Sequence, residues 1–280
     1  TFVGSTAVGK HIYATAAGAG KRVQALTEAK NHALVLEDAV LERSVAGIVN
    51  STYGCAGQRC MALPVVCVQD SIADELVELL AAKAAELKLG PAYLPESQLG
   101  PVITSKHLDW VTAGIQRGVD EGAGLVLDGR EVSVDGYEGG FYVGPTILDR
   151  VGPDNWAGTY EIFGPVTAIK RVADFEEGIN VMNSNPFANG SCIYTSSGYH
   201  AREFARRTHA GMVGVNVGIP VPFSTFPFTG HKESFFGDLH AMGKDGVAFF
   251  TETKAVTTTW FTEEHRHQKV GTWDGMTTRH

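Results

Sequence analysis

The sequence predicts an α/β fold, a mainly parallel sheet with helices on both faces. Three observations carry this expectation. Short apolar runs of strand length alternate with longer segments of helical period. Glycine and proline clusters mark the junctions between them. Of the 280 residues, 44% are hydrophobic and 19% charged, a globular balance with ample apolar side chains for a core.

Taken in order, residues 1–10 read as a strand end, a glycine turn and a helix start. A short extended run through Asn31-His32-Ala33 ends at Val35-Leu36. Residues 38–53 place Val40, Leu41, Val45, Ile48 and Val49 at helical spacing, with Asp38 as the expected N-cap. Gly54 and Gly57 mark a turn, and residues 63–68 read as a buried strand. An amphipathic helix is expected over 71–88, with Ile72, Leu76, Leu79, Leu80 and Leu87 on its apolar side and Ser71 as its cap. A further helix, 105–121, stops at Gly122-Ala123-Gly124, and Leu125–Leu127 follows as a strand. Residues 128–144 read as a glycine-rich loop with a hairpin. Strands at 165–172, 191–194 and 213–217 are joined by helices near 175–183 and 199–209. The stretch 218–246 lacks periodicity, and so long a loop in a compact domain is usually functional. Residues 247–260 return to a strand pattern, and the polar tail from 263 to 280 is expected to be loose.

Composition excludes several classes. A net charge of −8 argues against a nucleic-acid or acidic-membrane partner, either of which needs a cationic face. No apolar run reaches the 18 residues of a membrane span, and residues 1–6 do not read as a signal peptide. Cys55, Cys60 and Cys67 cluster while Cys192 is remote, which is not a disulfide framework; a reducing, cytoplasmic setting (or a mitochondrial matrix in a eukaryote) is expected. No second Cys or His pair stands at ligand spacing, so no metal site is expected.

Three short segments carry residue types suited to chemistry. Gly4-Ser5-Thr6-Ala7-Val8-Gly9 can bring backbone N–H groups and the Ser5 hydroxyl to a phosphate, or can simply turn a strand into a helix. In Gly57-Gln58-Arg59-Cys60 the cysteine follows a glycine turn, where N–H dipoles and Arg59 can lower a thiol pKa; the same cysteine also suits a structural role in a buried setting. In Glu161-Ile162-Phe163-Gly164-Pro165 the carboxylate can accept from ribose hydroxyls and the ring can bound a flat heterocycle, or the pair is a surface acid beside a core aromatic.

Together with Phe2 to Gly9 and Asn185-Pro186-Phe187, these segments occur in the order and spacing of the aldehyde dehydrogenase superfamily, which the chain resembles from residue 1 to about 260. Ala29-Lys30-Asn31-His32, Gly57 to Leu63, Gly214 to Pro222, Phe228-Thr229-Gly230 and Phe250 to Lys254 resemble one branch of it, the CoA-acylating methylmalonate-semialdehyde dehydrogenases. The resemblance implies NAD as cofactor and coenzyme A as acyl acceptor. Cys60 is then the nucleophile that adds to the aldehyde and carries the thioester. Ser5 matches a pyrophosphate contact, Thr27 a position lining the nicotinamide, Glu161 the acid on the nicotinamide ribose, and Phe163 its neighbour beside the ring. Arg59 is a candidate partner for the substrate carboxylate, with thiolate activation or a structural ion pair as the other reading. The implied products of malonate or methylmalonate semialdehyde are acetyl-CoA or propionyl-CoA.

The same resemblance divides the chain into residues 1–29 at the end of an NAD-binding domain, 30–235 as catalytic domain, 236–262 as an oligomerisation strand of a dimer or tetramer, and 263–280 as tail. It also exposes departures. Hydrolytic relatives activate water with a glutamate four residues before the lysine matched by Lys30, and that position is Leu26, which cannot accept a proton. A thiol acceptor needs that base less. Glu28 stands where relatives carry glycine, and Tyr160 where they often carry a second glutamate. The implied NAD-clamping strands and oxyanion asparagine have no counterpart in the chain. A second expectation therefore stands beside the enzyme: a silent fragment that keeps the fold and serves as an oligomerising module.

Overall fold

The computed structural model describes residues 1–266. Its centre is a seven-stranded sheet built from β3 (His32–Val35), β4 (Val65–Gln69), β5 (Gly124–Leu127), β6 (Thr146–Asp149), β7 (Val166–Val172), β9 (Gly190–Tyr194) and β10 (Met212–Val215), in the order β10-β9-β3-β4-β7-β6-β5. Every pairing is parallel except that of the edge strand β5. A separate three-stranded sheet joins β1 (Phe2–Val3), β2 (Gln24–Leu26) and β12 (Phe235–Gly237), and β8 (Phe187–Ala188) pairs with β11 (His231–Lys232).

All four residues of β3 are buried, as are the first four of β4. Successive side chains point to opposite faces, so both faces of the central sheet are covered. Two helix pairs do this. Helices α2 (Leu41–Tyr53) and α3 (Asp70–Ala85) pack on one another and on β4 and β7; α6 (Phe175–Ser184) packs on β3, β4 and α7 (Gly198–Arg207). Helix α6 comes close because Gly178 lacks a Cβ that would collide with Leu34. Between them lies one continuous core that includes Leu34, Ile48, Leu63, Leu76, Leu80, Ile169 and Phe204, all fully buried. At about 25 cal/mol per Å² such burial is the main favourable contribution to folding. Helices α1 (Thr6–Gly18), α4 (Ser105–Asp120), α5 (Trp156–Thr159) and α8 (Gly243–Phe250) complete the set.

The expected α/β class is the class observed, with local corrections. Asp38 does not cap α2, which starts at Leu41 after Val40; the Asp38 carboxylate instead accepts from the Thr195 hydroxyl (2.7 Å) and Ser196 N. Ser71 does not cap α3, because that helix begins one residue earlier and Ser71 Oγ donates to Glu37. Residues 128–144 contain no hairpin strand, and the loop expected at 218–246 includes β11, β12 and the start of α8. The strand expected at 247–260 is also not formed: Val247–Phe250 closes α8, and 251–260 has no regular structure. A strand needs a neighbouring strand for its N–H and C=O groups, and no sheet among the described residues includes this segment. The chain separates into two units, Thr1–Phe249 and Phe250–His280. In the second, Glu263–His265 forms a single 3-10 turn; the rest of the tail expectation, residues 267–280, lies outside the described residues.

Candidate active site

Four neighbouring parallel strands, β9-β3-β4-β7, all run the same way, so the residues just before each strand gather at one edge of the sheet. Asn31 precedes β3, Cys60 precedes β4, Glu161 and Phe163 precede β7, and Asn189 precedes β9. That edge opens into a cavity of about 620 Å³ whose lining includes Ser5, Thr27, Glu28, Cys60, Glu161 and Phe163. Five of the six residues singled out from the sequence therefore share one space.

The Cys60 loop is tightly specified. Cys55, Ala56 and Gly57 take three successive left-handed conformations after α2, with φ of 54°, 54° and 68°. A non-glycine residue there costs on the order of 1 kcal/mol or more. Gly57 also faces the Gly164 carbonyl at a distance no Cβ could share. The Cys60 carbonyl then accepts from two buried amides, Asn31 Nδ2 at 3.0 Å and Asn189 Nδ2 at 2.9 Å. Asn31 is fully used: Nδ2 also donates to Ala62 O and Oδ1 accepts from Gly190 N.

Arg59 lies behind this loop. Its guanidinium donates to the carbonyls of Asn50 (2.6 Å) and Ser51 (3.1 Å) at the C-terminal end of α2, a favourable place for a cation. It does not line the large cavity, although it borders a smaller recess beside Cys60, where its Nε is buried without a partner. The expected lowering of the thiol pKa is not found. Burial pushes the Cys60 thiol upward and the nearby Glu161 charge adds to this, outweighing the backbone N–H groups of Cys60 and Met61 and the weaker pull of Arg59. Cys60 is nevertheless exposed and lines the cavity; Cys55 is exposed outside its lining, while Cys67 and Cys192 are buried.

Glu161 Oε1 accepts from Ala29 N at 3.0 Å, and burial, with a contribution from the charge of Glu28, pushes its carboxyl up to about 7. The buried Lys30 ammonium nearby is brought down to about 7, chiefly by desolvation. Thr27 Oγ1 donates to Glu233 O at 2.5 Å, which orients its side chain at the cavity. Phe163 adopts φ 58°, a strained backbone for an aromatic residue, and His107 Nε2 lies 2.7 Å from its carbonyl. Ser5 begins α1 without using its hydroxyl as a cap. Leu26 is in β2, outside the cavity lining.

Sequence reasoning missed Ile103, Thr104, Lys106, His107 and Trp110, which line the same cavity from the start of α4 and the two residues before it. The available signals were faint: a threonine that caps the helix through His107 N, followed by an exposed tryptophan. Asn189 was missed too, since nothing local marks it as the partner of Cys60. Among the described residues no cluster of His, Cys, Asp or Glu could hold a metal ion, and no helix is long and apolar enough to cross a membrane.

The sequence model of the aldehyde dehydrogenase family matches residues 1–256. A malonate-semialdehyde dehydrogenase of Bacillus cytotoxicus is 48% identical over 261 residues, 93% of this chain and 54% of that protein. A crystal structure of a methylmalonate-semialdehyde dehydrogenase from Oceanimonas doudoroffii superposes with a TM-score of 0.92 at 41% identity, covering 95% of this chain and 55% of that one. A Mycobacterium tuberculosis aldehyde dehydrogenase complexed with NAD+ superposes with a TM-score of 0.84 at 30% identity, covering 90% and 51%. The chain thus spans about half the length of the curated relatives it matches. On these matches the chain belongs to the aldehyde dehydrogenase family.

Proposed function

We propose that this chain carries the catalytic machinery of an NAD-dependent, CoA-acylating oxidation of malonate or methylmalonate semialdehyde, with Cys60 as nucleophile. The observation that carries the reading is the single cavity uniting Cys60, Glu161, Phe163, Thr27 and Ser5 from four distant segments. The cavity fits the nicotinamide half of a dinucleotide: Phe163 and Thr27 bound a flat ring, Glu161 can accept from ribose hydroxyls, and Ser5 stands at the start of α1 for a phosphate oxygen. NAD held there supplies the hydride acceptor.

Cys60 Sγ adds to the aldehyde carbon to give a thiohemiacetal, and loss of hydride leaves an acyl thioester on Cys60. Asn31 and Asn189 position this residue by holding its carbonyl. The thiol must lose its proton first, and Glu161 is a carboxyl lining the same cavity that burial has brought into the neutral range. Leu26 cannot activate water, which favours a thiol of coenzyme A as the second nucleophile: it displaces Cys60 from the thioester, and the carboxylate carbon leaves as carbon dioxide with a proton taking its place, giving acetyl-CoA or propionyl-CoA. For the substrate carboxylate, Lys106 is the lysine on the cavity wall; Arg59 commits Nη2 to the carbonyls of α2, with Nη1 and the buried Nε outside those bonds.

The division near residue 29 is supported by the separation of β1 and β2 from the large sheet. Homo-oligomerisation is supported by the segment after Phe250, where Val256, Trp260 and Phe261 are all more than 70% exposed. The test is NADH formation by this chain with malonate semialdehyde and CoA. The reading expects NADH that depends on CoA and disappears in Cys60→Ala. NADH formed equally without CoA would overturn the acylating assignment, and no NADH at all would favour the silent, oligomerising module.

A further inference from the structure

The start of α1 borders the cavity through Ser5 and is suited to receive a phosphate, since the N–H groups of its first turn have no helical partner. One of them is already taken. Thr6 N donates to Glu28 Oε2 at 3.0 Å, from 22 residues away in sequence. The Ser5 hydroxyl, which could have capped this turn, makes no capping bond. The Thr6 hydroxyl is buried with no partner, so a polar group in the same turn remains unsatisfied.

We propose that Glu28 is a built-in competitor of the dinucleotide: its carboxylate occupies the anion position at the start of α1 and must leave before a diphosphate can bind there. The inference rests on the NAD reading above. Glu28 is half-buried and lines the same cavity as Cys60 and Glu161, so it faces the incoming ligand from within the site. Its charge already acts across the cavity, where it contributes to the raised pKa of Glu161. A bound diphosphate would therefore lose an N–H donor to Glu28 and also meet its negative charge at short range. The cost is reversible, because a side chain held by one half-buried bond can rotate away. Glu28 thus sets how tightly this chain holds its cofactor.

The experiment is calorimetric titration of the 280-residue chain with NAD and, separately, with inorganic pyrophosphate, for the native protein, Glu28→Gln and Glu28→Gly. Glutamine keeps the shape and removes the charge; glycine removes the competitor. Circular dichroism and thermal melts confirm that each variant is folded. NAD affinity is expected to rise in the order native, Gln, Gly, by roughly two- to thirtyfold overall, the range for a charge at a helix terminus. Pyrophosphate affinity should rise in the same order. Equal or weaker binding of both ligands by folded variants overturns the inference. Tighter pyrophosphate binding without tighter NAD binding upholds the role of Glu28 at α1 and counts against the NAD reading. Tight NAD binding that is the same in all three proteins upholds the NAD reading and removes Glu28 from it.

Discussion

The loop that carries Cys60 and the small sheet that carries Ser5 border the same cavity, yet they are built to different standards. The Cys60 loop is held by buried side-chain amides from two other segments, by Gly57 pressed on Gly164, and by a seven-stranded sheet beneath it. The Ser5 side rests on strands of two and three residues and a helix with only Thr6 and Gly9 buried among its thirteen residues. The difference teaches which part of the chemistry this chain can hold rigidly. The geometry around Cys60 comes from deep packing, whereas the geometry around Ser5 depends on a thin layer that opens locally at lower cost.

Matched substitutions can break this comparison. Asn31→Ala removes three buried bonds and leaves the Cys60 and Ala62 carbonyls and Gly190 N without that partner. We expect a loss of about 3 kcal/mol in denaturant unfolding, from several unsatisfied buried groups. Gln24→Ala on the small sheet removes bonds to Thr1 and Leu239 and should cost about 1 kcal/mol. Equal losses would mean that the two sides are equally rigid. A second pair uses glycine. Gly57→Ala forces a Cβ onto the Gly164 backbone at positive φ and should cost about 2 kcal/mol or more, with loss of NADH formation. Gly4→Ala meets only the Phe2 ring, a side chain able to move, and should cost under about 1 kcal/mol in the same melts.

Much of the fold was legible because strand and helix periods are local. The run Val65–Gln69 and the helices α3 and α4 fall within a few residues of where their patterns place them. The cap assignments failed because Asp38 and Ser71 found partners in distant segments, Thr195 and Glu37, which no local pattern records. The segment 247–260 was misread for a related reason: β-branched composition states a preference, and a strand requires a neighbour. At the site, residues within recognisable motifs were found and those joined only by topology were not. Asn189 and His107 belong to the second group, since each meets the Cys60 or Phe163 backbone from another part of the chain. The direction of the Cys60 shift was also hidden, because Arg59 reads as a neighbour in sequence while its guanidinium is engaged with α2.

The smallest expected effect sharpens the comparison from the side of charge. Burial raises the Glu161 carboxyl from its ordinary value of 4.5 to about 7, so between those values the folded chain holds a proton that the unfolded chain has released. Ionising this group inside the fold therefore lowers stability as pH rises from about 4.5 to 7. Glu161→Gln cannot ionise, and its melting temperature should fall less across that window than the native protein's. The same substitution removes a negative charge that holds the Cys60 thiol up, so the pH profile of Cys60 alkylation by iodoacetamide should move to lower pH. Cys55, exposed on the same loop, provides the internal reference in each mass spectrum. Desolvation is the larger cause of the Cys60 shift, so the movement is partial and the profile stays above that of an ordinary thiol. A profile that does not move would place the Glu161 charge too far from the sulfur to influence it. The rigid side of the cavity would then govern the Cys60 thiol by burial alone.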